Sequence, residues 1–206
     1  MPATFNLELH FPLPSTLSPD IVVRAIHAYE PLIRPNPYLQ GFDRLPVSLD
    51  EIVTDPFFTE DGSNIIKYEI HDRIPILAAI GWMKDVSFPA IFQSFPSGVR
   101  LRAEAAAGTT VRSIYGVERA TRGKQQQTAE GMSSTADGSL RSRGPGGGDW
   151  ELVERSHVEC NALLKPFVQK QFEAGHRDLC QKVLDNLVAA TQKDLPPLPV
   201  LEDGRS

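Results

Sequence analysis

Only two cysteines, Cys160 and Cys180, occur among the 206 residues of the sequence. Two cysteines cannot form the disulfide framework of a small secreted domain, so we expect a reduced, cytoplasmic protein. The absence of an Asn-x-Ser/Thr glycosylation site agrees with that location. Residues 1–20 hold four prolines and no basic start followed by an apolar run, so we expect no secretory signal peptide there.

Long apolar runs are also missing. The longest, Ile74–Met83, spans ten residues and is interrupted by Pro75 and Gly81. A helix that crosses a membrane needs about 20 apolar residues, so no membrane span is expected.

The sequence has no excess of positive charge. Lys and Arg number 21 against 26 Asp and Glu, which gives a net charge of -5. Nucleic-acid-binding domains present a basic patch, so we do not expect nucleic acid as a partner. With 41% hydrophobic and 23% charged residues, the composition is that of an ordinary globular protein.

Signatures of cofactors and metals are likewise absent from the sequence. The glycine-rich stretch 144–148 lacks the Lys-Ser/Thr of a phosphate-binding loop and does not open a helix after a strand, so we interpret it as a linker. His10, His27 and His176 are scattered, and no pair of His, Cys or carboxylate residues has the spacing of metal ligands. The sequence therefore predicts neither a cofactor nor a metal.

The most strongly patterned stretch is a predicted helix from about Ala162 to Lys193. Its apolar residues recur at spacings of three and four, which is typical of a helix with one buried face. They are Leu164, Phe167, Val168, Phe172, Leu179, Val183, Leu184, Leu187 and Val188. A helix of about 30 residues is about 45 Å long and needs a broad apolar partner. We expect Phe172 and Leu179, in the middle of this stripe, to be buried against a sheet.

Six segments alternate apolar and polar residues, which is the period of a half-buried strand. They are Thr4–Phe11, Asn64–Ile70, Val86–Gln93, Val99–Ala106, Thr109–Val117 and Trp150–Glu159. The turn at 96–98, between the third and the fourth segment, predicts a hairpin. Small side chains around Ala103 leave room for a cavity on one face of the sheet.

The other segments are less regular. Pro19 is predicted to open a helix that is capped by the preceding serine and ends at Pro31. Residues 41–63 are predicted to be a loop with one weak strand around Phe42–Val47. The segment Asp72–Met83 is expected to be a loop close to apolar surroundings.

Residues 118–149 differ in composition from the rest of the chain. They hold seven glycines, three consecutive glutamines and no aromatic residue. Such a segment cannot bury enough apolar surface to offset its ordering entropy, so it is predicted to be a disordered insertion. The proline-rich tail 194–206 is predicted to be flexible. We therefore expect one domain over residues 1–193.

The order of these elements resembles the helix-grip fold of the START and polyketide-cyclase superfamily, also called SRPBCC. The stretches that carry the resemblance are Phe5–Pro14, Ser18–Pro37, Tyr68–Pro75 and Glu154–Val168. The run Tyr-Glu-Ile-His-Asp-Arg-Ile-Pro is the most specific part, and within the superfamily the chain resembles a largely fungal family. The resemblance implies an α+β fold in which a curved antiparallel sheet grips a long C-terminal helix around an internal cavity. Members bind lipids, sterols and polyketides, so it also implies a hydrophobic small-molecule ligand.

Glu154 is the first candidate for catalysis. On its predicted strand it shares a face with Trp150, Leu152 and Val158. A carboxylate that faces a cavity is expected to have a raised pKa and can act as a general acid or base. The alternative is that a bulge turns it toward solvent or that an arginine pairs with it.

Tyr68 and His71 complete the candidate catalytic set. Tyr68 lies on the predicted inward face of its strand, and His71 follows that strand and could shuttle protons at the rim of the cavity. Alternatively, His71 is a bystander beside a structural ion pair of Asp72 and Arg73. The aromatic side chains expected to line the ligand cavity are Phe88, Phe92, Tyr115, Trp150 and Phe172.

Two functions therefore remain open. In the first, the protein binds a polyketide-like intermediate or a lipid and catalyses its cyclisation, dehydration or isomerisation without a cofactor. In the second, it is a carrier of lipid or another ligand, or an interaction module, and performs no chemistry. Ligand binding in either form requires a cavity of about 300 Å³ or more.

Overall fold

The computed structural model of the chain describes residues 1–59, 63–77, 82–105, 108–120 and 149–193. Within them lie the strands β1 Pro2–Pro12, β2 Leu39–Leu45, β3 Ile65–Leu77, β4 Trp82–Phe95, β5 Gly98–Ala105, β6 Thr109–Arg119 and β7 Trp150–Asn161. The helices are α1 Pro19–Ile26, α2 Glu30–Ile33, α3 Leu49–Val53 and α4 Lys165–Lys193. The strands form one curved antiparallel sheet in the order β1-β7-β6-β5-β4-β3-β2, which confirms the predicted α+β class. None of these helices is long and apolar enough to cross a lipid bilayer.

All six predicted strands are present, and the predicted hairpin is β4 and β5, which pair up to Phe95 and Gly98. β6 and β7 also form a hairpin, because their pairing continues to Arg119 and Trp150. The first two residues of the expected insertion 118–149, Glu118 and Arg119, belong to β6. Residues 121–148 lie outside the described residues, as does the expected flexible tail 194–206.

Residues 121–148 should be replaceable by a short linker without loss of folding, because the end of β6 and the start of β7 are already in contact. The amide of Ala120 donates to the carbonyl of Asp149 at 2.8 Å, so the two strand ends already meet. A short Gly-Ser link in place of 121–148 should leave the Tm within a few degrees, because a twofold change in loop length alters the closure cost by only about 0.6 kcal/mol. Thermal unfolding of both chains measures this. Loss of folded protein would mean that the segment contributes packing to the single domain that we propose for residues 1–193.

Pro31 does not end the first helix, which contradicts the prediction. α1 ends at Ile26, and the chain turns through Tyr29, which has a φ of 62°, into α2. The Tyr29 hydroxyl donates to the carbonyl of Asn64 at 2.6 Å and fixes this corner against the sheet. Pro31 lies in the first turn of α2, where its missing N–H costs no hydrogen bond.

Residues 72–83 are also not the expected loop. β3 continues to Leu77 and β4 begins at Trp82, and these two residues pair with each other. A register shift after Pro75 accommodates the proline, which has no N–H to donate to its neighbour. Because β3 extends past Ile70, its alternation places His71 on the opposite face from Ile70.

The two faces of the sheet are covered by different segments. We call the face that packs against α1 and α4 the concave face, and the opposite one the outer face. Residues 46–59, predicted to be part of a loop, form α3 and a turn, and their Ile52 and Phe58 pack on Ile91 of the outer face. Asp55 accepts a hydrogen bond from Arg102 at 2.9 Å and ties the same segment to β5.

α4 packs tightly only around residues 180–184. Cys180, Val183 and Leu184 are buried in the main core, together with side chains of α1 and the concave face. Phe172 and Leu179, expected to be buried against the sheet, pack against the core but are only half-buried. α4 contacts mainly β1 and β7, which lie at one edge of the sheet, so one side of Phe172 stays open.

Candidate functional site

A fully buried carboxylate, Glu154, lies on the concave face of β7. β7 alternates as predicted, because Ser156 and Val158 are buried on the same face while Arg155 and His157 are exposed on the other. Glu154 therefore points toward α4. Neither a bulge nor an arginine partner is observed at Glu154 within the described residues.

Three side chains donate hydrogen bonds to Glu154. Nδ1 of His176 and Sγ of Cys180, both on α4, contact Oε1 and Oε2 of the carboxylate, the sulfur at 3.4 Å. Oγ of Ser156 donates to Oε1 at 2.8 Å. Because an ionised carboxylate only accepts hydrogen bonds, Nδ1 of His176 carries the proton that faces it. The pair Glu154 and His176 thus joins β7 to the middle of α4.

β6 adds two hydroxyl groups to this cluster. The hydroxyl of the buried Tyr115, which lies directly opposite Glu154 in the β6–β7 register, is 3.3 Å from Nδ1 of His176. Oγ of Ser113 is 2.7 Å from Oγ of Ser156, so the serine that donates to Glu154 is itself held in place. We call Ser113, Tyr115, Glu154, Ser156, His176 and Cys180 the polar cluster.

Electrostatics keep Glu154 ionised. Burial raises its pKa, but the charge of His176 and the hydrogen bonds of His176, Ser156 and Cys180 outweigh burial, so the net pKa is lowered. The sequence-based expectation of a raised pKa is therefore wrong. Burial and the negative charge of Glu154 raise the pKa of the Tyr115 hydroxyl and of the Cys180 thiol. Cys180 consequently remains a thiol and is a poor nucleophile.

His176 is the member of the cluster that reaches toward solvent. Its side chain is partly exposed, whereas Glu154 is not. The ring of Phe172 stacks on the imidazole with centroids 3.7 Å apart, so the orientation of His176 is fixed from two sides. In the described part of the chain no group bonds to Nε2 of His176, so this nitrogen is available to contact a ligand.

Replacing Glu154 with glutamine should destabilise the protein more at neutral than at acid pH. A carboxylate with a lowered pKa adds stability above its unfolded pKa of about 4.3, and this stability is lost as pH falls through the folded pKa. The variant should therefore lose about 1–3 kcal/mol at pH 7, the range for a hydrogen-bonded charged group, and much less near pH 3. Denaturant unfolding at both pH values measures the difference.

The matched control is Glu159→Gln, which changes an exposed glutamate of the same strand. It should leave the free energy of unfolding unchanged within about 0.5 kcal/mol. A loss for Glu154→Gln that is as large at pH 3 as at pH 7 would show that the ionised form of Glu154 is not what stabilises the fold.

The structure does not bring the three candidate catalytic residues together. Tyr68 is buried on the concave face, where its ring packs against those of Phe42 and Phe92 at 5.5 and 5.8 Å. His71 lies on the outer face and contacts Asp43 at 3.0 Å and Ser87 at 2.8 Å. His71 is therefore not at the rim of the concave face, because it has the opposite parity from Tyr68 on a strand longer than predicted.

The five aromatic residues expected to line a cavity differ in exposure. Phe92 and Tyr115 are fully buried, whereas Phe88, Phe172 and Trp150 are half-buried and retain surface that a ligand can meet. Arg119 lies over the ring of Trp150, with its guanidinium carbon 5.2 Å from the ring centroid. Phe88 and Phe172 are consequently the members of this set best placed to contact a ligand on the concave side.

Among the open grooves on the described surface are three with volumes of about 380, 530 and 490 Å³. Their positions are between α2 and the C-terminal half of α4, beside Phe57 on the outer face, and along the exposed side of α4. All three are open to solvent and none lies between the concave face and α4, so none of them is the internal cavity of about 300 Å³ expected from the sequence. Neither Glu154 nor His176 lines any of the three.

Among the described residues, no three His, Cys, Asp or Glu side chains are grouped so that they could hold a metal ion. Cys160 and Cys180 are both buried as free thiols.

Sequence reasoning missed His176 and Ser113. The spacing of His176 could have revealed it. It lies four residues after Phe172 and four before Cys180, so it is a polar residue on the apolar stripe of the helix. Ser113 could also have been found, since it shares the inward parity of Val111 and Tyr115. Small polar residues on a buried face are the signal that should direct attention to a site.

Comparison with known proteins identifies a matching family model and several solved structures of similar fold. A family model described as "Domain of unknown function (DUF7053)" matches residues 2–189. A search among curated proteins found no match. Among solved structures, TTHA0849 from Thermus thermophilus is 11% identical with a TM-score of 0.54, over 91% of this chain and 99% of the other. Ara h 8.0201 is 10% identical with a TM-score of 0.54, over 92% and 99% of the two chains.

The di-domain ARO/CYC protein StfQ from the steffimycin biosynthetic pathway is also similar. It is 8% identical with a TM-score of 0.51, and the match covers 93% of this chain and 52% of StfQ. At these identities the similarity concerns the fold alone. The helix-grip fold expected from the sequence is thereby supported.

Proposed function

This chain belongs to the family described as a domain of unknown function (DUF7053), and we propose that it binds an apolar small molecule between the concave face and α4. The observation that carries the proposal is the pair formed by the fully buried Glu154 and the partly exposed His176 on a face that is otherwise largely apolar. Removing charges from water is costly, and apolar residues would often stabilise such a position as well or better. The pair is therefore better explained by a role in binding or chemistry than by stability.

The proposed ligand position is the part of the concave face next to this pair where small side chains lie. One cross-strand row consists of the small side chains Ala90, Ala103 and Val111, and beside it Phe88 and Leu101 are only half-buried. The loosely packed N-terminal half of α4 lies at the edge of the same face. An apolar ligand would cover these half-buried side chains and place a polar group against His176. We propose a polyketide-like molecule as the class of ligand. This is supported by the similarity to StfQ, a protein of a biosynthetic pathway, which is a similarity of fold.

His176 is the group that would perform chemistry on such a ligand. In the neutral form of the ring the one proton lies on Nδ1 and is donated to Glu154, so Nε2 is the nitrogen that can accept a proton from a ligand. Nε2 can then remove a proton from a carbon next to a carbonyl, and the protonated ring can return it at another atom. Cyclisation, dehydration and isomerisation of polyketide-like molecules all include such proton transfers, and this mechanism uses no cofactor.

Filling the concave face should abolish binding. Titration with the apolar dye 1-anilinonaphthalene-8-sulfonate reports a bound apolar ligand as a rise in fluorescence. Ala103→Phe places a large ring in the row of small side chains and should weaken binding at least tenfold, while Ala174→Phe on the exposed side of α4 should not. If Ala103→Phe folds and binds the dye as the wild type does, the ligand does not bind on the concave face.

A carrier without chemistry is the second candidate, and the half-open, apolar character of the concave face favours it equally. Exchange of the acidic C–H of an aromatic 1,3-diketone with deuterated water, followed by NMR, separates the two. An enzyme should accelerate the exchange, and His176→Gln should remove the acceleration while His157→Gln on the outer face should retain it. Binding of the diketone without acceleration would identify a carrier. A cytoplasmic location and a fungal source stay predictions.

A further inference from the structure

An exposed apolar surface lies at one end of the sheet, where β1 begins and β7 ends. The side chain of Leu163 is 90% exposed and that of Phe167 is 67% exposed, and Met1 and Leu164 are exposed beside them. Large apolar side chains are seldom grouped in this way on a protein that meets only water.

These side chains are held together by the backbone. Pro2 pairs with Asn161, and the amide of Ala162 donates to the carbonyl of Met1 at 3.1 Å. Asn161 accepts from the amides of Leu163, through Oδ1 at 3.0 Å, and of Leu164, through its carbonyl at 2.9 Å. The turn from β7 into α4 is thus ordered, and it presents its leucines to solvent.

A fifth exposed side chain is found at the same end of the sheet. In the antiparallel order, β7 ends on the side where β3 ends and β4 begins, and Met83 near the start of β4 is exposed. Five of the eight large hydrophobic side chains that are exposed in the described residues therefore lie at this end. We call Met1, Met83, Leu163, Leu164 and Phe167 the apolar tip.

Positive charge accompanies the apolar tip. Residues 160–172 contain Lys165 and Lys170 and no acidic residue, although the whole chain has a net charge of -5. Lys170 is exposed and Lys165 is partly exposed. The turn and the first turns of α4 are therefore positively charged, and the nearest acidic residues along the chain are Glu159 and Glu173 on either side of this segment.

We propose that the apolar tip docks on the surface of an anionic lipid bilayer. Apolar side chains flanked by lysines match the boundary between lipid headgroups and acyl chains. The apolar side chains insert there, and the lysines meet the anionic headgroups. A second protein chain fits less well, because a stable interface uses about 20–30 residues on each side. The apolar tip offers five large apolar side chains and two lysines. This proposal is independent of the ligand on the concave face.

Vesicle flotation tests the proposal. The wild-type chain should float with vesicles of equal parts phosphatidylcholine and phosphatidylserine, and more weakly with phosphatidylcholine alone. The double variant Leu163→Ser/Phe167→Ser should bind at least about tenfold more weakly, because the inserted apolar surface is lost. Lys165→Gln and Lys170→Gln should each reduce binding to the anionic vesicles about fivefold.

The matched control is Leu49→Ser, which changes a leucine that is 80% exposed at the start of α3, outside the apolar tip. It should float as the wild type does, and all variants should share the wild-type unfolding midpoint. Absence of flotation for the wild type, or an equal loss for Leu49→Ser, would overturn the proposal. A dimer in analytical ultracentrifugation that Leu163→Ser/Phe167→Ser dissociates, without flotation, would instead identify a second copy of the chain as the occupant. None of these results would change dye binding on the concave face, which is measured separately.

Discussion

Replacing Leu184 by alanine should lower the free energy of unfolding by about 2–5 kcal/mol, as truncation of a buried leucine does. Leu184 is fully buried in the main core with Cys180 and Val183, where α4 meets the concave face. A domain of this kind has a total stability of about 5–15 kcal/mol, so this single change would remove a large part of it. Denaturant unfolding with unchanged slope would assign the shift to stability.

Leu163→Ala is the matched control for this result. The same side chain is removed, but Leu163 is exposed in the turn before α4, so the change should stay within about 0.5 kcal/mol. Phe172→Ala should fall between the two, since Phe172 is half-buried and packs at the border of the core, where its ring contacts those of Phe5 and His176. Wild-type midpoints for both Leu184→Ala and Phe172→Ala would mean that α4 does not grip the sheet.

The contrast between Leu184 and Phe167 explains how far the sequence predicts this fold. Both residues lie on the predicted stripe of α4, because periodicity reports the direction of a side chain around the helix axis. Periodicity does not report which surface covers that side chain. The position of α4 over the β1–β7 edge decides this, and it buries Leu184 while leaving Phe167 in solvent. The sequence therefore predicts the helix itself, but it does not predict how deeply each residue of its apolar stripe is buried.

The same reasoning applies to Glu154 in the candidate site. Its inward direction follows from the alternation of β7 and could be predicted. Its partner His176 is 22 residues away in the sequence and comes into contact only when α4 docks. Without that partner, burial alone predicts a raised pKa, whereas the charge of His176 reverses the direction. The chemistry of the site is thus a tertiary property.

His71 illustrates the remaining error. Its placement at a cavity rim assumed that β3 ends at Ile70, and the local sequence after this residue, with Pro75, suggests an end. Pairing with β2 on one side and β4 on the other extends the strand to Leu77 instead. The face on which His71 lies is therefore decided by pairing with strands that are distant in the sequence. A local sequence pattern carries no information about such pairing.

Replacing Gly98 by alanine should be about as damaging as truncating a buried core residue. A Cβ at this position would lie 1.9 Å from the carbonyl oxygen of Tyr115 and 2.7 Å from Cζ of Phe95. The strand cannot easily move away, because Nε2 of His27 lies 3.0 Å from the carbonyl oxygens of both Phe95 and Gly98. Overpacking costs about 1–3 kcal/mol and more where backbone must shift, so we expect a loss of about 3 kcal/mol or more.

The clash of Gly98→Ala also bears on the candidate site, since the backbone that must shift carries Tyr115, whose hydroxyl contacts His176. Dye binding on the concave face should therefore weaken in any fraction that folds. Gly175→Ala in α4 is the matched control: nothing lies within 4 Å of its added methyl group, so the variant should gain up to about 1 kcal/mol from helix propensity. Wild-type stability for Gly98→Ala would mean that β5 and β6 can separate at this point without loss. Tyr115 would then not be held rigidly enough to orient His176.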